Sequence, residues 1–212
     1  MDIQKECKMK NIVKELMAGF PGIKFIMLGD GQIEYILENL VSVLHLPGDV
    51  VELGCNVGMT TSFMRRLLDA AGSDKEIHVY ESFKGLPEKT EEDGATPCKA
   101  GDSAVTKKMF IDTFKQAGLK LPIINTGFFA DIPDEKYPEK IGFAFFDGDF
   151  YTSIMDSFQK VYHKMVPGGI ILIHDYNWES FPGAKKACDD FLFFKHEKVG
   201  QEIFGIGKMV KK

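Results

Sequence analysis

Short apolar runs bounded by turn residues recur along the chain, and longer stretches with apolar residues three or four apart separate them. The runs Asp49–Leu53, Ile77–Glu81, Pro122–Thr126, Ile141–Phe146 and Gly169–Ile173 read as strands. Ile141–Phe146 has no polar side chain, as a parallel strand buried on both faces requires. Helical spacing predicts helices from a glycine loop after Leu53 to about Ala71, over Ala104–Ala117 (Val105, Met109, Phe110, Phe114), over Thr152–Met165 and over Ala184–Phe194. One or two late strands fall around Ile203–Val210. Met1–Phe20 carries Ile3, Ile12, Val13 and Leu16 at helical spacing, and residues 1–46 read as an N-terminal helical cap. The alternation predicts one doubly wound, mostly parallel α/β domain over residues 1–212, with helices on both faces of the sheet. Lys84–Ser103 breaks the rhythm with Gly, Pro and mixed charge. It is too long for a plain connector and reads as a lid or binding loop.

The first informative site follows the first strand, at Glu52-Leu53-Gly54-Cys55-Asn56-Val57-Gly58. Glycines at a strand–helix turn let the backbone approach a ligand, and the helix start offers free N–H groups. The spacing is GxxxG with Asn56 in the middle, so the GxGxxG pattern that seats a dinucleotide pyrophosphate is absent. Glu52 before the turn suits a cationic amino-acid end, and Glu81 at the end of the second strand suits two ribose hydroxyls. Together they describe a nucleoside carrying an amino acid, which S-adenosyl-L-methionine matches. The cofactor candidates are Glu52, Gly54, Asn56, Gly58, Thr60, Glu81, Ser82 and Asp147.

Two later strand ends are acidic. Asp147-Gly148-Asp149 follows one buried strand, and His174-Asp175-Tyr176 follows the next. If those strands are neighbours, the carboxylates crowd one sheet edge and raise each other's pKa, which a divalent cation relieves. Oxygen ligands favour Mg2+, and His174 would also tolerate manganese, iron or zinc. Asp147, His174 and Asp175 are the candidate ligands. Asp149 is the candidate general base, with helix capping as its alternative role.

Composition narrows the partners. The chain has 44% hydrophobic residues and a net charge of −5, which suits a globular enzyme of small molecules and argues against a nucleic-acid backbone as partner. No window resembles a signal peptide or a membrane span. The scattered cysteines Cys7, Cys55, Cys98 and Cys188 contain no CxxC pair and suit reduced thiols in the cytoplasm.

In the order in which they occur, several of these motifs resemble the macrocin O-methyltransferase (TylF-type) family. The run Glu81-Ser82-Phe83-Lys84-Gly85-Leu86-Pro87 is similar to its acid-Ser-Phe-x-Gly-Leu-Pro signature. Thr126–Pro133, Asp147-Gly148-Asp149-Phe150-Tyr151-Thr152-Ser153, Pro167-Gly168-Gly169 and Pro182–Phe191 continue the match, which covers roughly Gly48 to Leu192. The resemblance implies a Rossmann-like class I methyltransferase fold. It implies methyl transfer from S-adenosylmethionine to a sugar hydroxyl, with magnesium held by aspartates. By motif position Asp147 and Asp175 map to metal ligands, Asp149 to the base and Glu81 to the ribose acid. The N-terminal region and the long loop map to the acceptor pocket and to a homo-oligomer contact. The family has Asp-Asp before the Tyr where this chain has His174-Asp175. Three other readings stand beside this one: a metal-free or catechol-type methyltransferase, a non-catalytic nucleoside binder, and a dehydrogenase, against which the missing glycine counts.

Overall fold

The computed structural model describes residues 3–18 and 28–212. Met1 and Phe20, the ends of the expected N-terminal helix, lie outside these residues. The elements are α1 (Ile3–Ala18), α2 (Asp30–Val43), β1 (Asp49–Leu53), α3 (Met59–Ala70), β2 (Ile77–Glu81), α4 (Lys107–Ala117), β3 (Ile123–Thr126), β4 (Ile141–Phe146), α5 (Tyr151–Val161), β5 (Met165–Ile173), α6 (Pro182–Phe191), β6 (Gln201–Ile203) and β7 (Ile206–Val210).

The strands form one sheet in the order β3-β2-β1-β4-β5-β7-β6. β1 to β5 run parallel, and β7 and β6 add an antiparallel edge. The apolar runs are explained by the two faces. Val50, Phe143, Phe145, Ile170 and Leu172 pack with α1 to α4. Their chain neighbours Val51, Ala144, Phe146, Ile171 and Ile173 pack with α5 and α6. Successive side chains on a strand point to opposite faces, so a strand covered on both sides must be apolar throughout. The expected doubly wound sheet is therefore present.

Several boundaries differ for local reasons. α4 starts at Lys107 because the Thr106 side chain accepts the Met109 N–H and caps the helix there. α5 ends at Val161, a single 3-10 turn spans Tyr162–Lys164, and Met165 already opens β5. The Pro-Gly-Gly turn expected before that strand is instead a bulge within it, where the register jumps from Ile141↔Met165 to Phe143↔Ile170. α6 stops at Phe191, leaving Phe193 and Phe194 exposed. Phe204 and Gly205, both at positive φ, make the two-residue turn of the β6–β7 hairpin.

Candidate active site

The parallel register places the site. Asp147 N–H donates to Leu53 O at 2.8 Å, and His174 N–H donates to Phe146 O at 2.9 Å. The ladder thus runs one residue beyond β1, β4 and β5 and sets Gly54, Asp147 and His174 in a row. A Cβ on Gly54, which has φ +86°, would sit 1.9 Å from Asp147 O, so only glycine allows this approach. A cavity of about 470 Å³ opens over these strand ends. The turn after β1, the start of the long loop, the segment after β3, the first turns of α5 and the loop after β5 line it. Ligands of doubly wound sheets bind at such carboxyl ends.

At the β1–β2 end, the Glu81 carboxylate accepts backbone N–H groups of Cys55 (3.1 Å), Asn56 (2.9 Å) and Phe83 (3.0 Å). It fixes the turn while still facing the cavity. Asn56 takes φ +46° there, and its Nδ2 donates to Ser103 O at 3.0 Å, tying the turn to the far end of the long loop. Gly54, Asn56, Glu81, Ser82 and Asp147 all line the cavity.

Three expected cofactor contacts do not reach it. Glu52 is 1% exposed and accepts a short hydrogen bond from the Thr61 hydroxyl. Burial first, then Asp147 and Glu81, push its pKa up to about 8 against the relief given by Thr61. It lies inside the strand rather than at its end, so its side chain goes into the layer beneath the turn. Gly58 faces Phe110, which a Cβ would meet at 2.5 Å, and Thr60 is buried in the first turn of α3.

At the β4–β5 end, ligand atoms of Asp147, Asp149, His174 and Asp175 lie within 4.8 Å of one another. His174 Nδ1 is 2.9 Å from Asp147 Oδ1 and 3.1 Å from Asp175 Oδ2. Both contacts are within ion-pair range, and although burial lowers it, the charges and hydrogen bonds of Asp147 and Asp175 push the His174 pKa up to about 11. Three carboxylates and an imidazole on one rim are also a donor set that a divalent cation could use. Burial, then Asp147 and Asp175, push the Asp149 carboxyl well above the ordinary aspartate range. Asp149 and Asp175 both take left-handed backbone, at φ +59° and +53°. Such conformations on non-glycine residues persist only where surrounding structure enforces them.

A residue of the long loop braces the start of α5, two positions after Asp149. Asp93, 1% exposed, accepts the Tyr151 N–H at 2.6 Å and caps α5. The cap is thus Asp93, and the helix-capping alternative for Asp149 is set aside. Asp93 also accepts the Thr90 N–H at 2.8 Å. Gly183 of α6 packs against it so closely that a Cβ would come within 2.0 Å of Asp93 Oδ1. On the other side, Gln32 of α2 brings its Nε2 to 3.1 Å from His174 Nε2, donates to Phe204 O at 2.8 Å and accepts the Gly29 N–H at 2.8 Å. Sequence reading missed Asp93 and Gln32. Their partners lie 58 and 142 positions away, and no local spacing announces such pairs.

Across residues 1–210 the chain matches the family described as Macrocin-O-methyltransferase (TylF). It is 27% identical over 204 residues to the 8-demethyl-8-(2,3-dimethoxy-alpha-L-rhamnosyl)-tetracenomycin-C 4'-O-methyltransferase of Streptomyces olivaceus, covering 89% of this chain and 76% of that protein. It is 25% identical over 185 residues to the mycinamicin III 3''-O-methyltransferase of Micromonospora griseorubida, covering 81% and 72%. The solved structure of the O-methyltransferase NovP matches with a TM-score of 0.76 at 21% identity, over 98% of this chain and 99% of that one. The calicheamicin methyltransferase CalS11 matches at 0.71 and 15%, over 99% and 94%. The sheet, the glycine turn and the acidic strand ends are therefore those of a methyltransferase, and the chain belongs to the macrocin-O-methyltransferase (TylF) family.

Proposed function

We propose that this enzyme transfers the methyl group of S-adenosylmethionine to a hydroxyl of a sugar or small natural product, with a divalent cation at the β4–β5 end. The observation that carries the reading is the convergence of Asp147, Asp149, His174 and Asp175 beside the Glu81-anchored turn, in one cavity. Glu81 accepts from the ribose hydroxyls, and Gly54, Asn56, Ser82 and Asp147 complete the donor's seat. Asp147 and Asp175, with His174 as the third group, would hold the cation. Magnesium is the ion this oxygen-rich set favours. Bound there, a cation would lower the pKa of an acceptor hydroxyl and orient it.

The acceptor oxygen then forms a bond to the methyl carbon as the carbon–sulfur bond breaks. Asp149 takes the hydroxyl proton, and S-adenosylhomocysteine leaves. Burial, then Asp147 and Asp175, hold the Asp149 carboxyl well above the ordinary range, and positive charge from a bound donor and cation would bring it down toward that of a working base.

The whole chain acts as one domain, with residues 1–46 as a cap and residues 84–103 as a wall of the acceptor site. The thiols Cys55, Cys98 and Cys188 are unpaired, which suits a reducing cytoplasm. Among the described residues no helix is long and apolar enough to cross a membrane.

The test is Asp149→Asn. We expect turnover to fall by about 10²–10⁴-fold, the range of a lost general base. Donor affinity by calorimetry should stay within a few-fold. A chelator should stop turnover of the unaltered enzyme and leave donor binding intact. Full turnover in excess chelator would refute the cation's role.

A further inference from the structure

We infer that Asp93 is a positioning residue for methyl transfer: it takes, from the long loop, the backbone N–H that Asp149 would otherwise bind, and so leaves the Asp149 carboxylate to the cavity. This rests on the reading of Asp149 as the base, and the geometry at the start of α5 carries it.

An aspartate has a preferred local partner, the backbone N–H two residues further on. For Asp149 that group is the N–H of Tyr151, the first residue of α5, and the free N–H groups of a helix start attract carboxylates. Phe150, between them, has no side chain that can cap. Local chemistry therefore favours Asp149 folding back onto the helix start. The fold gives that N–H to Asp93 Oδ1 instead, at 2.6 Å. Asp149 lines the cavity and Asp93 does not.

The turn that carries Asp149 is not self-sufficient. Phe150 N–H donates to Gly148 O at 2.6 Å around Asp149, which has φ +59°. A three-residue turn with positive φ at its centre is the rare, strained form. Aspartate tolerates left-handed backbone best when its side chain bonds locally, and here the favoured local donor is occupied. The occupant is itself held from three sides. Asp93 Oδ2 accepts the Thr90 N–H at 2.8 Å and the Thr90 hydroxyl at 3.3 Å. The neck of the loop is closed by Leu86 N–H on Asp102 O and Gly101 N–H on Leu86 O, both at 2.9 Å. Gly183 of α6 leaves room for the carboxylate, since a Cβ there would overlap Asp93 Oδ1 and lie 2.8 Å from Tyr151 N. A serine hydroxyl would cap a helix as well, but only a carboxylate has the second oxygen that ties this cap to the loop.

The test is a double-mutant cycle on the full chain, read by amide hydrogen exchange and thermal melting, neither of which needs an acceptor. In Asp93→Ala the Asp149 carboxylate is free to take over the Tyr151 N–H, so that amide should stay protected to within about threefold. Asp93→Ala combined with Asp149→Ala removes both acceptors. The Tyr151 amide should then exchange at least roughly tenfold faster than in either single variant. The melting temperature should fall by about 2–4 °C more than the two single losses together. Asp93→Asn, which keeps an oxygen for the Tyr151 N–H, should abolish this excess. Gly183→Ala, which displaces the carboxylate but leaves Asp93 in the chain, should couple to Asp149→Ala in the same sense, so the cycle survives if Asp93→Ala does not fold. The proposal is overturned if the losses simply add, if the Tyr151 amide is as exposed in Asp93→Ala alone as in the double variant, or if the excess persists with Asp93→Asn. Calorimetry of S-adenosylhomocysteine on the unaltered protein keeps the two readings apart. Absent donor binding sinks the methyl-transfer reading, whereas intact donor binding with an additive cycle sinks only the role of Asp93.

Discussion

The two ends of the cavity are both acidic, yet they are built on opposite principles. At the β1–β2 end one carboxylate, Glu81, is met by three backbone N–H groups. At the β4–β5 end Asp147, Asp149, His174 and Asp175 face mainly one another, with His174 Nδ1 between Asp147 and Asp175. The first end is satisfied by backbone donors, whereas the second pairs three carboxylates with one imidazole, with Asp149 and Asp175 in left-handed backbone. The lesson is that a carboxylate's worth to the fold depends on whether the chain itself supplies its donors.

The sharpest break of this comparison is Asp147→Asn. Removing one charge from the crowded end should lower turnover by about 100-fold or more, as loss of a charge-stabilising group does. Thermal stability should hold or rise, because repulsion is relieved. A large drop in melting temperature would mean that Asp147 is structural and the two ends are alike. Glu52 offers the next largest effect. Its folded pKa of about 8 lies above the unfolded 4.5. Its contribution is therefore most favourable below pH 4.5 and is lost as pH rises toward 8. Glu52→Gln should raise stability on the order of 2–4 kcal/mol near pH 8, with the two melting curves converging toward pH 5. A constant gap across that range would contradict the raised pKa of the buried carboxyl. The smallest effect is at Glu81→Gln. One oxygen remains to accept from the turn, so stability should fall by about 1–2 kcal/mol while donor affinity drops further. Calorimetry and thermal melts on one sample decide it. Unchanged donor binding would move the ribose contact elsewhere.

The sheet was legible because burial on both faces writes itself into the sequence as unbroken apolar runs. Ile141–Phe146 shows it at every position. The acidic strand ends were legible because parallel neighbours in register bring their following residues together, as Asp147 and His174 are. Glu52 sits off the cavity lining for a reason of parity: side chains inside a strand alternate between the two layers, and its own goes to Thr61 of α3. Gly58 is a packing glycine under Phe110, which its spacing from Gly54 could not reveal. The β5 boundary failed because Pro-Gly-Gly signals a turn and a bulge equally well. Asp93 stayed hidden because it acts through the tertiary fold, from a long loop.

Gln32 has a consequence for the order in which the molecule is assembled. Its partners His174 and Phe204 stand 142 and 172 positions further along. Contacts of such separation are the slowest to form, since much of the chain must be ordered before they close. An emerging polypeptide can complete β1 to β4 and still lack the final hairpin on which α2 docks. A chain cut short before Phe204 would keep most of its sheet but leave α2 without that anchor.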